Sequence, residues 1–459
     1  VIAGGSAGQR VVLTGMGWAT PLGLEIDGVW ARLLAGESAI RPVDRFRAST
    51  FATNFAAQVP EFDLADFIAD APSHAGVHTH VRFLLAAASR AWRSAGIGDV
   101  SSAGGVRAGA PGLDPGRVGV YLGSGEGEPD VRGFIEACFA TWDEGAGATD
   151  KAEWARVAYA EFDARRETEN EPNLAITNLA EAFDARGPAY NCMTACAAST
   201  QSVGEAYRML QRGDADVMIA GGSHTMIHPL GMTGFIRLTA MSTRCDDPAT
   251  AARPFDASRD GFVMGEGAGV VILERLEHAL ARGATPLCEI VGYGSSADAY
   301  RITDIQPEGR GAIEAMRQAV ESAGIDPTAP DERGRPPVQY ISAHGTGTQE
   351  NDSIESVAVR GLFKDQAPRI PFSSIKSMMG HLIQAAGAVE LITCVQAVRT
   401  GFVPPTINLE KPGPGCDLDY VANECRDMRP HGGVDVAMSN GFGFGGQNDT
   451  ILVARCDEG

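Results

Sequence analysis

Short apolar runs that end in glycine turns recur along this chain, and helix-period patterns fill the intervals between them. Residues 11–17, Val-Val-Leu-Thr-Gly-Met-Gly, predict a strand entering a glycine turn. Residues 118–122 predict a second strand, 217–220 a third before Gly221-Gly222, and 270–274 a fourth, followed by a helix over 275–281. These runs are mostly apolar instead of alternating, which predicts sheets covered on both faces. After Cys196, apolar or small residues at Ser199, Val203, Ala206, Tyr207 and Leu210 follow a helical period. Gly213 supplies a natural C-cap for that helix.

The pattern then restarts. Residues 287–294 predict a strand, 311–323 a helix, 338–342 a strand and 353–363 a helix. A short extended piece at 371–375 precedes an amphipathic helix over 381–400, whose apolar side includes Leu382, Ala385, Ala386, Val389 and Ile392. Residues 434–438 and 450–454 predict closing strands around a glycine loop. The order implies an α/β protein of two related halves, 1–283 and 284–459. Two stretches interrupt it. Residues 42–67 are turn-rich, and 134–171 alternate acidic with basic residues, as a solvated insertion or a cap over a substrate entrance.

At 459 residues the chain can bury a large core. Its formal charge of −20 and the lack of any Lys/Arg run argue against nucleic acid and anionic membranes as partners. An acidic protein partner would need a local basic patch against this field. The cysteines number nine, with no Cys-x-x-Cys pair, which predicts the reducing cytoplasm and no disulfide scaffold. No apolar run is long enough to span a membrane. Residues 1–9 predict a loose lead-in, without the charged head and apolar core of a signal peptide.

Cys196 stands where a β-prone stretch meets the helix. A thiol in a first helical turn faces unpaired N–H groups and the positive end of the macrodipole, which favours thiolate. A reactive nucleophile and a packed, inert thiol both fit this position. His344 follows a strand, where open α/β sheets bind ligands, and His381 opens the helix over 381–400. Each is a catalytic candidate or a capping, packed residue. Lys376 and Glu355 can form a buried charged pair near them, or lie on the surface. Cys196, His344 and His381 lack the short ligand spacings of zinc sites, so no metal is expected. Gly441-Phe442-Gly443-Phe444-Gly445-Gly446 is neither a dinucleotide fingerprint nor a phosphate loop. It can present backbone N–H to an oxyanion with Phe444 guarding a pocket, or be a tight hairpin.

Four motifs occur in order: Thr194-Ala195-Cys196-Ala197, Ala343-His344-Gly345-Thr346-Gly347-Thr348, Lys376-Ser377-Met378-Met379-Gly380-His381, and the glycine segment 441–446. Together with Thr14-Gly15-Met16-Gly17, Arg253-Pro254-Phe255-Asp256 and Pro404-Pro405-Thr406-Ile407-Asn408-Leu409, they resemble the β-ketoacyl-acyl-carrier-protein synthases. The resemblance covers residues 10–456. It implies a thiolase-like fold, with two pseudo-symmetric α/β halves in a layered α-β-α-β-α core. It implies a homodimer, or a heterodimer with a related ketosynthase-like subunit. It implies no cofactor, since substrates ride on the phosphopantetheine arm of an acyl-carrier protein. By position, Cys196 matches the acyl-accepting nucleophile, and His344 and His381 the pair that assists malonyl decarboxylation. Lys376 matches the supporting lysine and Glu355 its acidic partner. Thr346 and Thr348 match the pantetheine contacts. The amides of Cys196 and Phe444 match the oxyanion hole, and Glu126, Phe235 and Phe444 fall at the acyl pocket. The implied reaction is decarboxylative condensation that lengthens an acyl chain by two carbons.

Some positions depart from the family. Glu126 stands where fatty-acid synthases have an apolar residue, and a buried carboxylate there is costly unless paired. It implies a shortened or polar pocket, a paired Glu126 or a shifted loop. Arg301 replaces a histidine and offers Glu126 a counter-charge, and Gln384 replaces a small residue. Thr346-Gly347-Thr348 with Asn351-Asp352 leans toward polyketide ketosynthases. The rival reading is a non-catalytic chain-length subunit of a type II polyketide synthase. Such subunits lose the cysteine that this chain keeps. A thiolase and a priming synthase fit the Cys-His-His set less well.

Overall fold

The structure, a computed structural model, describes residues 9–98, 113–125 and 130–456. Ten strands join in one array. In chain order they are β1 (Val11–Ala19), β2 (Val118–Gly123), β3 (Ala189–Cys192), β4 (Val217–His224) and β5 (Gly267–Arg275). Then come β6 (Cys288–Ala297), β7 (Tyr340–Ser342), β8 (Phe372–Ser373), β9 (Val436–Gly443) and β10 (Gln447–Ala454). Across the sheet the order is β8-β7-β9-β10-β6-β1-β5-β4-β2-β3. The seam is antiparallel, with Val11 opposite Ile290 and Leu13 opposite Cys288. Outward from the seam both sides follow one order, β1-β5-β4-β2-β3 and β6-β10-β9-β7-β8. In each, the outer pairs run parallel and so require crossover connections.

Five helices matter for the site: α1 (Thr79–Ser94), α2 (Ala198–Arg212), α3 (Arg310–Ser322), α4 (Gln349–Phe363) and α5 (Ala386–Thr400). Helix α1 lies on β1 over two glycines. A Cβ on Gly15 would stand 2.1 Å from the Ala91 carbonyl oxygen, and one on Gly17 2.2 Å from that of Ala87. Helix α3 repeats this on β6, where Gly292 and Gly294 would meet the carbonyls of Ala319 and Ala315 at 2.2 and 2.0 Å. Any side chain there would force helix and strand apart.

Helices α2 and α5 meet at the centre. The Ala388 amide donates to Ser199 Oγ at 2.9 Å. A Cβ on Gly387 would fall 2.0 Å from Thr200 Oγ1, so the two helices touch backbone to side chain. The helix expected over 381–400 is divided in the structure. Lys376–Met379 form one helical turn, Gly380 takes φ 67°, and Ile383–Ala385 form a 3₁₀ turn before α5 begins. Nor is α5 amphipathic, because residues 386–398 are all buried. Full burial of Leu391, Ile392 and Val395 contributes about 1.5–3 kcal/mol each.

Helix α4 begins four residues earlier than its apolar pattern suggests, because the Thr348 side chain caps it by accepting from the Asn351 amide. Strand β9 runs on through Gly443, so Phe442 is a buried strand residue opposite Asn448. The glycine loop shrinks to a turn at Phe444–Gly446, with φ 83° at Gly445 and 72° at Gly446. The charged stretch over 134–171 carries helices Lys151–Glu161 and Ala164–Thr168, and it exposes Phe139, Trp142 and Tyr159. Among the described residues no helix is long and apolar enough to cross a membrane.

Candidate active site

Edge strand β3 delivers Cys196 into the molecule. Ala195 takes φ 47° and opens the 3₁₀ turn Ala195–Ala197, which leads directly into α2. The thiol is buried. Its own amide and that of Phe444 donate toward Sγ, and the Lys376 charge lies near. These contacts favour thiolate, yet burial outweighs them and pushes the thiol up to about 11. Burial thus outweighs the pull of the helix start toward thiolate. In this dry position the cost of losing water exceeds what a helix terminus returns.

His344 follows β7, and the carboxylate of Glu355 on α4 holds its backbone. The amides of His344 and Gly345 donate to Glu355 Oε1 and Oε2, each at 2.8 Å. Asn440 Nδ2 donates to the same Oε1 at 3.3 Å. Burial raises the Glu355 carboxyl to about 7 against the pull of those amides. Nδ1 of His344 is buried without a hydrogen-bond partner among the described residues.

His381 stands between the short turn and the 3₁₀ turn, with its amide bonded to the Val263 carbonyl at 2.7 Å. The Ile383 amide donates to His381 Nδ1 at 3.3 Å. In the neutral ring the proton must then sit on Nε2, which is buried and unpartnered among the described residues. The two imidazoles lie edge to face, with centroids 5.4 Å apart at 85°. Burial first, and the Lys376 charge second, hold both rings well below the usual histidine range. Both are neutral at pH 7.

Lys376 is buried and ion-paired with Glu390 on α5, not with Glu355 as expected. Glu390 is buried on α5 between Val389 and Leu391, and burial lifts its carboxyl to about 7. Sequence reasoning missed it. A lone carboxylate in the run Ala388-Val389-Glu390-Leu391-Ile392 was the available signal, since such a group needs a counter-charge when buried.

The remaining expected residues fall around this centre. Thr346 and Thr348 share a hydroxyl contact at 3.0 Å in the loop after His344. Phe444 is half-buried in the turn after β9. Phe235 meets Phe262 edge to face at 5.8 Å, and Phe262 meets His381 the same way at 5.4 Å. Phe262, given no site role from the sequence, thus links the His381 ring to Phe235. Glu126 lies outside the described residues. Arg301 is exposed and pairs with Asp304 at 2.8 Å.

The Cys196 sulfur and a nitrogen of each imidazole all lie within 4.8 Å of one another. Those donor types could ligate zinc. Nε2–H of His381 has no free lone pair, however, and the Nδ1 lone pair already accepts from Ile383, so this ring is set to donate to an oxygen. A thiol, two neutral imidazoles and two convergent amides form an electrophile-accepting site with anion-stabilising donors.

The chain is similar to known proteins along nearly its whole length. The family profile described as Beta-ketoacyl synthase, N-terminal domain, matches residues 8–279, and that of the C-terminal domain matches residues 287–410. The chain belongs to the β-ketoacyl synthase family. It is 40 % identical over 448 residues to 3-oxoacyl-[acyl-carrier-protein] synthase 2 of Coxiella burnetii, covering 97 % of this chain and 99 % of that one. It is 39 % identical to the chloroplastic 3-oxoacyl-[acyl-carrier-protein] synthase I of Hordeum vulgare, covering 97 % and 89 %. A β-ketoacyl synthase structure from Burkholderia phymatum superposes with a TM-score of 0.81 at 32 % identity, covering 98 % and 100 %. A type II polyketide ketosynthase, solved in complex with its acyl-carrier protein and bound to the hexaketide, gives 0.81 at 29 %, covering 98 % and 100 %. The ishigamide ketosynthase/chain length factor gives 0.80 at 30 %, with the same coverage. The thiolase-like α/β architecture of these ketosynthases is the fold of this chain.

Proposed function

We propose that this protein catalyses decarboxylative Claisen condensation between an acyl group on Cys196 and malonyl-acyl-carrier protein, in fatty-acid or polyketide synthesis. One observation carries the reading: a buried thiol and two neutral imidazoles gathered within 4.8 Å, beneath the amides of Cys196 and Phe444. Sγ attacks the acyl thioester carbonyl, and the carbonyl oxygen turns toward the two amides. The carbon–sulfur bond to the carrier breaks, and the departing thiolate takes the proton that Cys196 gives up. The malonyl thioester then enters beside His344 and His381. Its carboxylate leaves as CO2, and the electron pair of the broken C–C bond becomes an enolate. The Nε2–H of His381 donates to the enolate oxygen, with His344 alongside. The enolate carbon attacks the acyl carbon, a C–C bond forms, and the Cys196 thiolate leaves and is protonated from solvent.

Glu355 acts by holding the His344 backbone, and Lys376 with Glu390 sets the field around both rings. Thr346 and Thr348 line the approach of the pantetheine arm, and Phe235 and Phe444 border the acyl chain. Residues 1–283 supply the nucleophile and 284–459 the histidines and lysine. The edge strand β3, with Tyr190 exposed on it and Met193 exposed just after it, supports association with a second copy of the chain. The intact cysteine disfavours a chain-length subunit. Intact-protein mass spectrometry tests the reading: acyl-carrier protein loaded with an acyl group should add that acyl mass to Cys196. Malonyl-carrier protein should then remove it and yield a β-ketoacyl product two carbons longer. Failure to label Cys196 with any acyl donor overturns it.

A further inference from the structure

The two halves place Cys196 and Gln384 in equivalent positions. Ala195 and Ile383 take φ values of 47° and 46°, and each opens a 3₁₀ turn that runs straight into a central helix. Cys196 is the second residue of the first turn, and Gln384 the second residue of the other. The same backbone device thus brings one thiol and one carboxamide to the junction of α2 and α5. Gln384 is only 5 % exposed.

A second polar group meets Gln384 there. His224 ends β4 and is 3 % exposed. Two residues earlier on the same strand face, a Cβ on Gly222 would stand 2.9 Å from Ser199 Cβ and 3.0 Å from the Gln384 carbonyl oxygen. Strand alternation puts His224 on that face, toward the helix junction. Its Nδ1 lies 3.4 Å from Gln384 Oε1. An amide oxygen only accepts, so Nδ1 carries the proton and Nε2 is left with a lone pair. Burial pushes the ring down to about 4, so it stays neutral. Nε2 of His224 is buried and has no hydrogen-bond partner among the described residues. Cys196 also packs into an apolar cluster that includes Ile227, Met232, Phe262, Met264 and Ile383. Gln384 also crowds the loop after β2: a Cβ on Gly125 would fall 2.2 Å from Gln384 Nε2.

We propose, given Cys196 as the acyl acceptor, that His224 and Gln384 form a polar recognition point for a hydroxyl group on the acyl chain. Gln384 fixes the tautomer of His224, and the His224 Nε2 lone pair accepts the hydroxyl proton. A hydrocarbon chain leaves that lone pair unmet in a dry wall, which is costly. A keto oxygen only accepts and cannot replace the hydroxyl. Apolar walls discriminate weakly against an added hydroxyl, whereas a buried group built to bond one discriminates strongly.

The test compares Cys196 acylation rates, read by intact-protein mass, for octanoyl pantetheine thioester and its β-, δ- and ω-hydroxy and β-keto derivatives. At least one hydroxyoctanoyl donor should acylate about ten-fold faster than octanoyl, and the β-keto donor should gain no such advantage. In His224→Phe and in Gln384→Leu the ratio of hydroxyoctanoyl to octanoyl should fall to about one. Octanoyl reacting as fast as every hydroxy donor in the wild-type protein overturns the proposal without any variant. So does a hydroxyl preference that survives both substitutions. Acylation by none of the donors overturns the acyl-acceptor reading of Cys196 and this proposal together.

Discussion

Lys376 and Glu390 form an ion pair inside the molecule, with 3 % and 1 % of their surfaces exposed. Removing one partner strands a buried charge. Lys376→Met should lower stability by about 3–5 kcal/mol, seen in denaturant unfolding. The double variant Lys376→Met/Glu390→Leu should regain most of that loss, because two desolvated charges give way to apolar groups. Condensation should stay impaired in both. Full activity in the double variant would show that the pair serves folding alone.

His381 donates through Nε2–H because the Ile383 amide occupies Nδ1. In His381→Ala the acyl mass should still appear on Cys196, while β-ketoacyl product formation falls about 100-fold or more. Equal loss of both half-reactions would contradict a role confined to the enolate.

Burial depresses both imidazoles, so neither gains a proton as pH falls through the ordinary histidine range. Condensation measured in saturating substrate should therefore show no inflection at about pH 6.5. For stability, the sign follows from the same shift. The unfolded chain takes up protons on these rings below about pH 6.5 and the folded protein does not, so their contribution is present above that pH and lost below it.

The thiol of Cys196, pushed up to about 11, should behave as a slow nucleophile toward simple alkylating agents. Its iodoacetamide labelling rate should keep rising with pH beyond the ordinary cysteine value of about 8.5, with no plateau there. Site-resolved mass spectrometry separates it from exposed Cys425.

Asp449 accepts from the Tyr293 hydroxyl at 2.7 Å, and burial raises its carboxyl to about 7. Its folded value lies above its unfolded one, so its favourable contribution is present at low pH and lost as pH rises through about 7. Asp449→Asn keeps an acceptor oxygen and removes the titration. The variant should gain stability relative to wild type as pH rises from about 4 to 8, as melting temperatures across that range would show. A pH-independent difference would place the charge elsewhere.

Local pattern carried much of this protein. Apolar runs closed by glycines read as strands because a buried parallel strand is apolar on both sides, and helix periods between them read as crossovers. Cys196, His344, Lys376 and His381 were recognisable because each sits in a short motif beside a strand or helix end. Tertiary structure alone decided what those residues touch. Lys376 reaches Glu390 across fourteen residues and two turns, which no spacing rule encodes. The thiol lost its helix-start advantage because desolvation depends on the whole fold around it. The helix over 381–400 broke where Gly380 and Ile383 take positive φ, and α5 is buried on every side because α2 and the sheet enclose it. Equivalence between Cys196 and Gln384 likewise exists only once the two halves have packed. Periodicity is a property of neighbours along the chain, whereas burial, tautomer and charge pairing are properties of neighbours in space.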